Sequence, residues 1–151
     1  MLSKLRSIRE EREQGFTLVE LIIVVVIIAI LAAVAIPMYL NFRKGAIDST
    51  AQSDAVNAAK QIEAYYQGHP QGVLPAALIV THDSNTYTTM SAADKAKYDG
   101  LGDIKASQGN TITITQTGTT VGNYTITVQN DNGKKSVAGI KYIPNAGGLQ
   151  G

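Results

Sequence analysis

The 151-residue chain carries 13 basic and 12 acidic side chains, a formal charge of +1, too small to point to a nucleic-acid partner. It contains no cysteine, which excludes a disulfide framework and a thiolate metal site but names no compartment. Its length suits one domain plus an appendage; apolar residues crowd into the first third, and Thr, Gly, Asn and Ala dominate the rest.

The first segment, Met1 to Gly15 (MLSKLRSIREEREQG), sets Lys4, Arg6, Arg9 and Arg12 against Glu10, Glu11 and Glu13. It is too short and polar to fold alone. Next come the 21 residues Phe16 to Ile36, which as an α-helix reach about 30 Å, the thickness of a bilayer's hydrocarbon core. Glu20 is their one charged residue. Basic residues ahead of an apolar span favour a cytoplasmic N-terminus and an outward C-terminal side. A secretory signal peptide has the same layout, and Ala33-Val34-Ala35 offers it a cleavage site.

The junction Gly15-Phe16-Thr17-Leu18-Val19-Glu20 distinguishes the two outcomes. With the apolar run behind it, it resembles the processing site of type IV prepilins and pseudopilins, and the resemblance extends from Met1 to roughly Tyr66. It implies that a prepilin peptidase cuts after Gly15 and methylates the new N-terminus, Phe16, so that the span is retained. It also implies that Glu20 acts in assembly, pairing with a terminal amine and setting register between subunits. Independently, an ionisable side chain in a membrane span is costly and marks function by default. Glu20 lies four residues after Phe16, on the same helix face and near the positive end of the dipole. A residue this close to the interface can also simply reach water.

Leu21 to Ile36 is apolar on every face and needs lipid or other apolar helices around it. Ala29, Ala32, Ala33 and Ala35 offer small surfaces for close helix approach, or serve as lipid-compatible filler. Pro37 removes one backbone hydrogen bond, so a helix that bends but continues is expected there; in the pilin family a proline at this place marks a segment that can lose helicity. Tyr39, Phe42, Arg43 and Lys44 suit an interface crossing. From Ile47 an amphipathic pattern takes over, with Ile47, Ala51, Ala55, Ala58, Ala59, Ile62, Tyr65 and Tyr66 on one stripe and Asp48, Gln52, Lys60 and Glu63 on the other faces. Gly68 and Pro70 stop it. One helix over 16–67 is expected.

The remainder, 68–151, reads as a head. His69 to Tyr87 is expected to be a loop with a short apolar piece interrupted by Pro75, and Ser91 to cap a short helix to Tyr98. Thr111 to Thr117 and Tyr124 to Gln129 alternate as half-buried strands around a turn at 118–122. Asp131-Asn132-Gly133 is a tight-turn signal before a third strand, Ser136 to Ile143; the tail Asn145 to Gly151 is expected to be mobile. The fold class is therefore α+β: a long N-terminal helical spine packed on a small antiparallel β-meander of three strands, with an αβ-loop between them. This agrees with the pilin fold that the resemblance implies. Many pilins clamp the C-terminal region with a disulfide, which this chain lacks.

Chemistry-bearing constellations are scarce. His69 and His82 have no carboxylate or thiolate partner that makes a metal site of them. Asp99, Asp103 and Asp131 raise the question of calcium, which some pseudopilins bind, but no stretch matches an EF-hand loop. No nucleophile–base pair or phosphate loop is present, so neither enzyme activity nor a cofactor is expected. Phe16, Tyr39, Phe42, Tyr65 and Tyr66 line the spine, where core packing is their expected use. Removing 1–15 leaves nine basic and nine acidic residues in 136, a neutral subunit compatible with repeated self-packing.

The expected function is a structural subunit of a type IV pilus. It starts as a single-pass precursor in the cytoplasmic membrane and ends in an extracellular filament for adhesion, motility or DNA uptake. By resemblance its partners are other copies of itself, the membrane, the prepilin peptidase and the assembly platform. A pseudopilin of a secretion or competence apparatus carries the same N-terminus. A secreted or membrane-anchored binding module is the reading from another class.

Overall fold

The computed structural model describes residues 16–70, 72, 74, 77–81, 101 and 104–150. Two compact units divide the chain, one ending at Leu40 and the other beginning at Asn41. A single helix, α1 (Leu18–Gly68), contributes to both and continues through Pro37. In the first unit its side chains stay uncovered: Leu18, Ile27, Leu31, Val34 and Met38 are all more than half exposed. This follows from composition, since a helix apolar on every face has no polar side to turn outward and no face that one partner could satisfy.

The second unit pairs the rest of α1 with a five-stranded antiparallel sheet in sequential order. The strands are β1 (Ala77–Thr81), β2 (Thr111–Gln116), β3 (Tyr124–Gln129), β4 (Ile140–Ile143) and β5 (Gly148–Gln150). Alternation fixes their register, because a slip by one residue would carry every apolar side chain to the other face. Two apolar rows result: Val80, Ile112, Val128 and Ile140 in one, Leu78, Ile114, Ile126 and Tyr142 in the other. They join Ala51, Ala55, Ala58, Ala59, Ile62 and Tyr65 of α1 in one core, along with Leu74, Leu101 and Ile104. Alanine on the helix leaves room for β-branched residues on the sheet, and such complementary volumes let the two surfaces interlock.

The α+β meander and the long helix are as expected, but the sheet has five strands where three were expected. Residues 77–81, expected to belong to a loop, form the edge strand β1; Pro75 precedes the strand without preventing it. The third expected strand starts at Ile140 instead of Ser136, because residues 131–138 are a series of turns and Gly139 has φ +89°. A Cβ at Gly139 would press on Thr127. The tail forms a short 3₁₀ turn (Pro144–Ala146) and then β5, which pairs with β4. The expected helix from Ser91 to Tyr98 and His82 lie outside the described residues. Of the spine aromatics only Tyr65 and Tyr66 pack against the core; Phe16, Tyr39 and Phe42 are 83%, 65% and 77% exposed.

Ile126 and Thr113 sit on opposite faces of the sheet and discriminate this packing. Ile126→Ala is expected to destabilise the protein by about 3 kcal/mol, and Thr113→Ala by less than about 1 kcal/mol, measured as thermal unfolding in detergent micelles.

Candidate functional site

The helix entrance is built by Thr17 and Glu20. Thr17 precedes the first helical residue and its carbonyl accepts from the Leu21 N–H at 3.2 Å. Its hydroxyl oxygen accepts from the Glu20 N–H at 3.2 Å. In return, Glu20 Oε2 accepts from the Thr17 N–H at 3.0 Å and from the Thr17 hydroxyl at 2.9 Å. This reciprocal pair is a capping box, in which a Thr and a Glu three residues later satisfy donors that a helix start leaves open. The signal, Thr17-Leu18-Val19-Glu20 before an apolar run, is present in the sequence, although Thr17 was not among the expected site residues. Glu20 thus has a defined orientation, folded back over the first turn toward the residue that follows Phe16. Phe16 is itself exposed, and Gly15 lies outside the described residues.

A second polar centre lies inside the head, at residues that the periodicity did not single out. Asp48, expected on a solvent-facing side of α1, is only 7% exposed. Its Oδ1 accepts from the N–H groups of Lys134, Lys135 and Ser136, each at 3.0 Å, and from the Ser136 hydroxyl at 2.9 Å. Lys135 N–H also donates to Oδ2 at 2.9 Å. Gly133 makes this grip possible, since a Cβ there would collide with Ser136 Oγ and Asp48 Oδ1. Six residues further along α1, Asp54 accepts from Ser107 N–H and Asn110 Nδ2, each at 2.7 Å, and from the Ser107 hydroxyl at 2.8 Å. Asn110 Oδ1 then accepts from Asn130 Nδ2 at 2.6 Å. Asn130 N–H closes the chain by donating to the Ser136 carbonyl at 3.1 Å.

Burial pushes the Asp48 carboxyl upward, but the hydrogen bonds from Ser136, Lys135 and Lys134 outweigh it and hold the group below the usual carboxylate range. These contacts are all to the ionised form, whose oxygens only accept.

His69 stacks on Tyr65 with ring centroids 4.5 Å apart, and its Nδ1 is 3.1 Å from the Tyr65 carbonyl. Tyr66 donates to Gln116 Oε1 at 3.1 Å. The buried Tyr124 hydroxyl has no hydrogen-bond partner among the described residues. Tyr65 and Tyr124 belong to the core and Tyr66 packs against it, and none of these groups adjoins the helix entrance in sequence.

Residues 12–36 match the family model described as the prokaryotic N-terminal methylation motif. The chain carries the class III signal of type IV pilins and pseudopilins. The match covers Phe16, Thr17 and Glu20 and most of the exposed apolar surface, together with the Gly15–Phe16 junction. The matched stretch is 25 of the 151 residues, so the match describes the N-terminus and not the head. Comparison with curated proteins and with solved structures gives no match. The long apolar helix and the motif together fit a membrane-anchored precursor.

Because the folded carboxyl of Asp48 is held below its unfolded value of about 3.9, its contribution is fully present above that value. It is lost as pH falls through the folded one. Thermal stability in micelles is therefore expected to be flat near neutral pH and to drop below about pH 4. Asp48→Asn should cost about 2 kcal/mol at pH 7 and flatten that acid limb.

Proposed function

We propose that this chain is a structural subunit of a type IV pilus. It is inserted as a single-pass precursor with its N-terminus in the cytoplasm, cut between Gly15 and Phe16, and N-methylated on Phe16. It is then polymerised into an extracellular helical filament. The observation that carries the proposal is the methylation motif at 12–36 leading directly into a helix whose apolar side chains are exposed all round. Lipid satisfies such a surface before assembly, and identical helices satisfy it afterwards. Heterologous contacts between identical copies extend without closing, which gives a filament and not a ring.

In this reading Glu20 has two successive partners. In the single subunit its carboxylate is held by Thr17; on assembly it meets the methylated, still cationic amine of Phe16 on a neighbouring copy. Ion pairing in a desolvated bundle is strong enough to select one axial register, since any other leaves both charges unpaired. Pro37 supplies a place where the helix adjusts without disturbing the head, because its ring nitrogen has no N–H to give the Ala33 carbonyl.

Mass spectrometry of the mature N-terminus tests the processing step: N-methylated Phe16 is expected, whereas a chain starting at Ile36 would mean signal-peptidase cleavage and loss of the span. Electron microscopy of the producing cells then separates long surface fibres from the short structures of a pseudopilin. For Glu20→Ala the expected result is normal processing with filaments reduced about tenfold or more, one unpaired buried charge being worth at least ~1.4 kcal/mol. Filaments at wild-type yield would refute the assembly role.

A further inference from the structure

We infer that Asn132–Gly133 is a self-modification site, at which the chain converts its own asparagine to aspartate and isoaspartate, and that the Asp48 grip holds this reaction in check. Of the eight asparagines only Asn132 is followed by glycine, whose missing side chain leaves its nitrogen uncrowded and its backbone free to turn. In the reaction the Gly133 main-chain nitrogen attacks the side-chain carbonyl carbon of Asn132. The new C–N bond closes a succinimide ring, and the side-chain nitrogen leaves as ammonia, taking the Gly133 proton with it. Water then opens the ring at either carbonyl. One opening gives aspartate; the other leaves the chain running through the side chain, as isoaspartate. Atoms balance with water as the one co-reactant.

Asn132 is exposed, so water reaches its amide. Gly133 is buried, and its N–H donates to the Asn130 carbonyl at 3.2 Å, so the nucleophile starts with its proton committed. The Asn132 N–H is tied as well, to Asn130 Oδ1 at 3.0 Å. Asn130 is fixed in turn, donating from Nδ2 to Asn110 at 2.6 Å and from its N–H to the Ser136 carbonyl at 3.1 Å. On the other side, the three N–H groups that follow Gly133 all donate to Asp48. Gly133 sits so tightly that a Cβ would meet Ser136 Oγ and Asp48 Oδ1. The dipeptide is clamped before and after the bond that must swing, and ring closure waits for a local opening. Conversion, once it has occurred, works against the clamp. Either product sets a second carboxylate beside Asp131, and isoaspartate adds a methylene to the main chain just ahead of the N–H groups that Asp48 collects.

The full chain in detergent micelles is aged in mildly alkaline buffer and then cut with trypsin. Mass spectrometry follows the peptide ending at Lys134, in which Asn110, Asn123 and Asn130 serve as internal references, and fragmentation separates isoaspartate from aspartate. Conversion at Asn132 in the folded protein is expected to be at least about tenfold slower than in the same chain unfolded in urea. Asp48→Asn should raise the folded rate roughly tenfold. Ser136→Ala removes one hydroxyl donor but leaves the carboxylate and the N–H groups, and should raise it about fivefold. Hydrogen exchange in β2 and β3 reports in parallel that the head is folded, and Ser136→Ala decides the matter if Asp48→Asn loses that protection. Equal rates in the folded and unfolded protein overturn the clamp. So does an unchanged rate in Ser136→Ala with β2 and β3 still protected. Conversion at Asn132 no faster than at Asn123 in the unfolded chain overturns the site itself.

Discussion

The head depends on one carboxylate. Asp48 collects the main-chain N–H groups of three consecutive residues, Lys134, Lys135 and Ser136, and the Ser136 hydroxyl as well. A buried charge is tolerated only when its lone pairs are all engaged, and here the engaging donors come from a turn 86 to 88 residues later in the chain. That contact does what a covalent cross-link would do between helix and C-terminal region: it fixes where the turn lies and hence where β4 can start. In the chain-entropy view, closing a loop of about 100 residues is worth roughly 4.7 kcal/mol for a disulfide. Charge-assisted hydrogen bonds join the same two segments in a different way, through enthalpy in a low-dielectric setting. They depend on ionisation, which a disulfide does not.

Two different solutions to the same packing problem share the helix α1. From Asn41 onward it presents alanines at helical spacing and buries them against branched residues of the sheet. Before Leu40 it presents isoleucine, valine and leucine in every direction and buries almost none of them. The first arrangement is satisfied within the chain. The second is unsatisfied by construction, and each exposed large side chain represents about 1.5–3 kcal/mol available to whatever surrounds it. Lipid and neighbouring helices are nearly equivalent in this respect, so exchange of one for the other need not cross a large hydrophobic barrier. In the proposed filament, polar contacts would then have to supply direction and register, and Glu20 is the single charge of the span.

Strict alternation in TITITQ and YTITVQ made β2 and β3 legible, and the apolar stretch followed by an alanine stripe made α1 legible, because period and composition agree there. Strand β1 was hidden by Pro75, a residue compatible with the position just ahead of a strand. Strand β5 is three residues long and glycine-led, too short to show alternation. The error at Ser136 had a different origin. The apolar pattern of 136–143 suits a strand, but three of its neighbouring N–H groups are committed to Asp48 and cannot join a ladder. Long-range polar pairing leaves no periodic trace, and for that reason Asp48 and Asp54 read as ordinary polar residues of an amphipathic helix. At the N-terminus the position was reversed: Glu20 was legible as an anomaly, while its companion Thr17 was concealed by being an ordinary helix-start residue.

Thr17 resolves the difficulty that Glu20 poses. A carboxylate in a span is expensive when isolated, yet this one sits on the first turn, where four N–H groups lack partners and the dipole is positive. Folded back onto the Thr17 N–H and hydroxyl, it is satisfied without any other chain, so a lone subunit can wait in the bilayer at tolerable cost. The same geometry holds the carboxylate beside the residue that peptidase cleavage would turn into a cationic terminus. Loss of the segment ahead of Phe16 would therefore change the electrostatics of the site in a single step. A carboxylate that had only amide and hydroxyl donors would gain access to a full positive charge, on its own chain or on a copy alongside. In the proposed filament, cleavage and assembly competence would be coupled through that change, because a pairing between Glu20 and the amine cannot form until the amine exists.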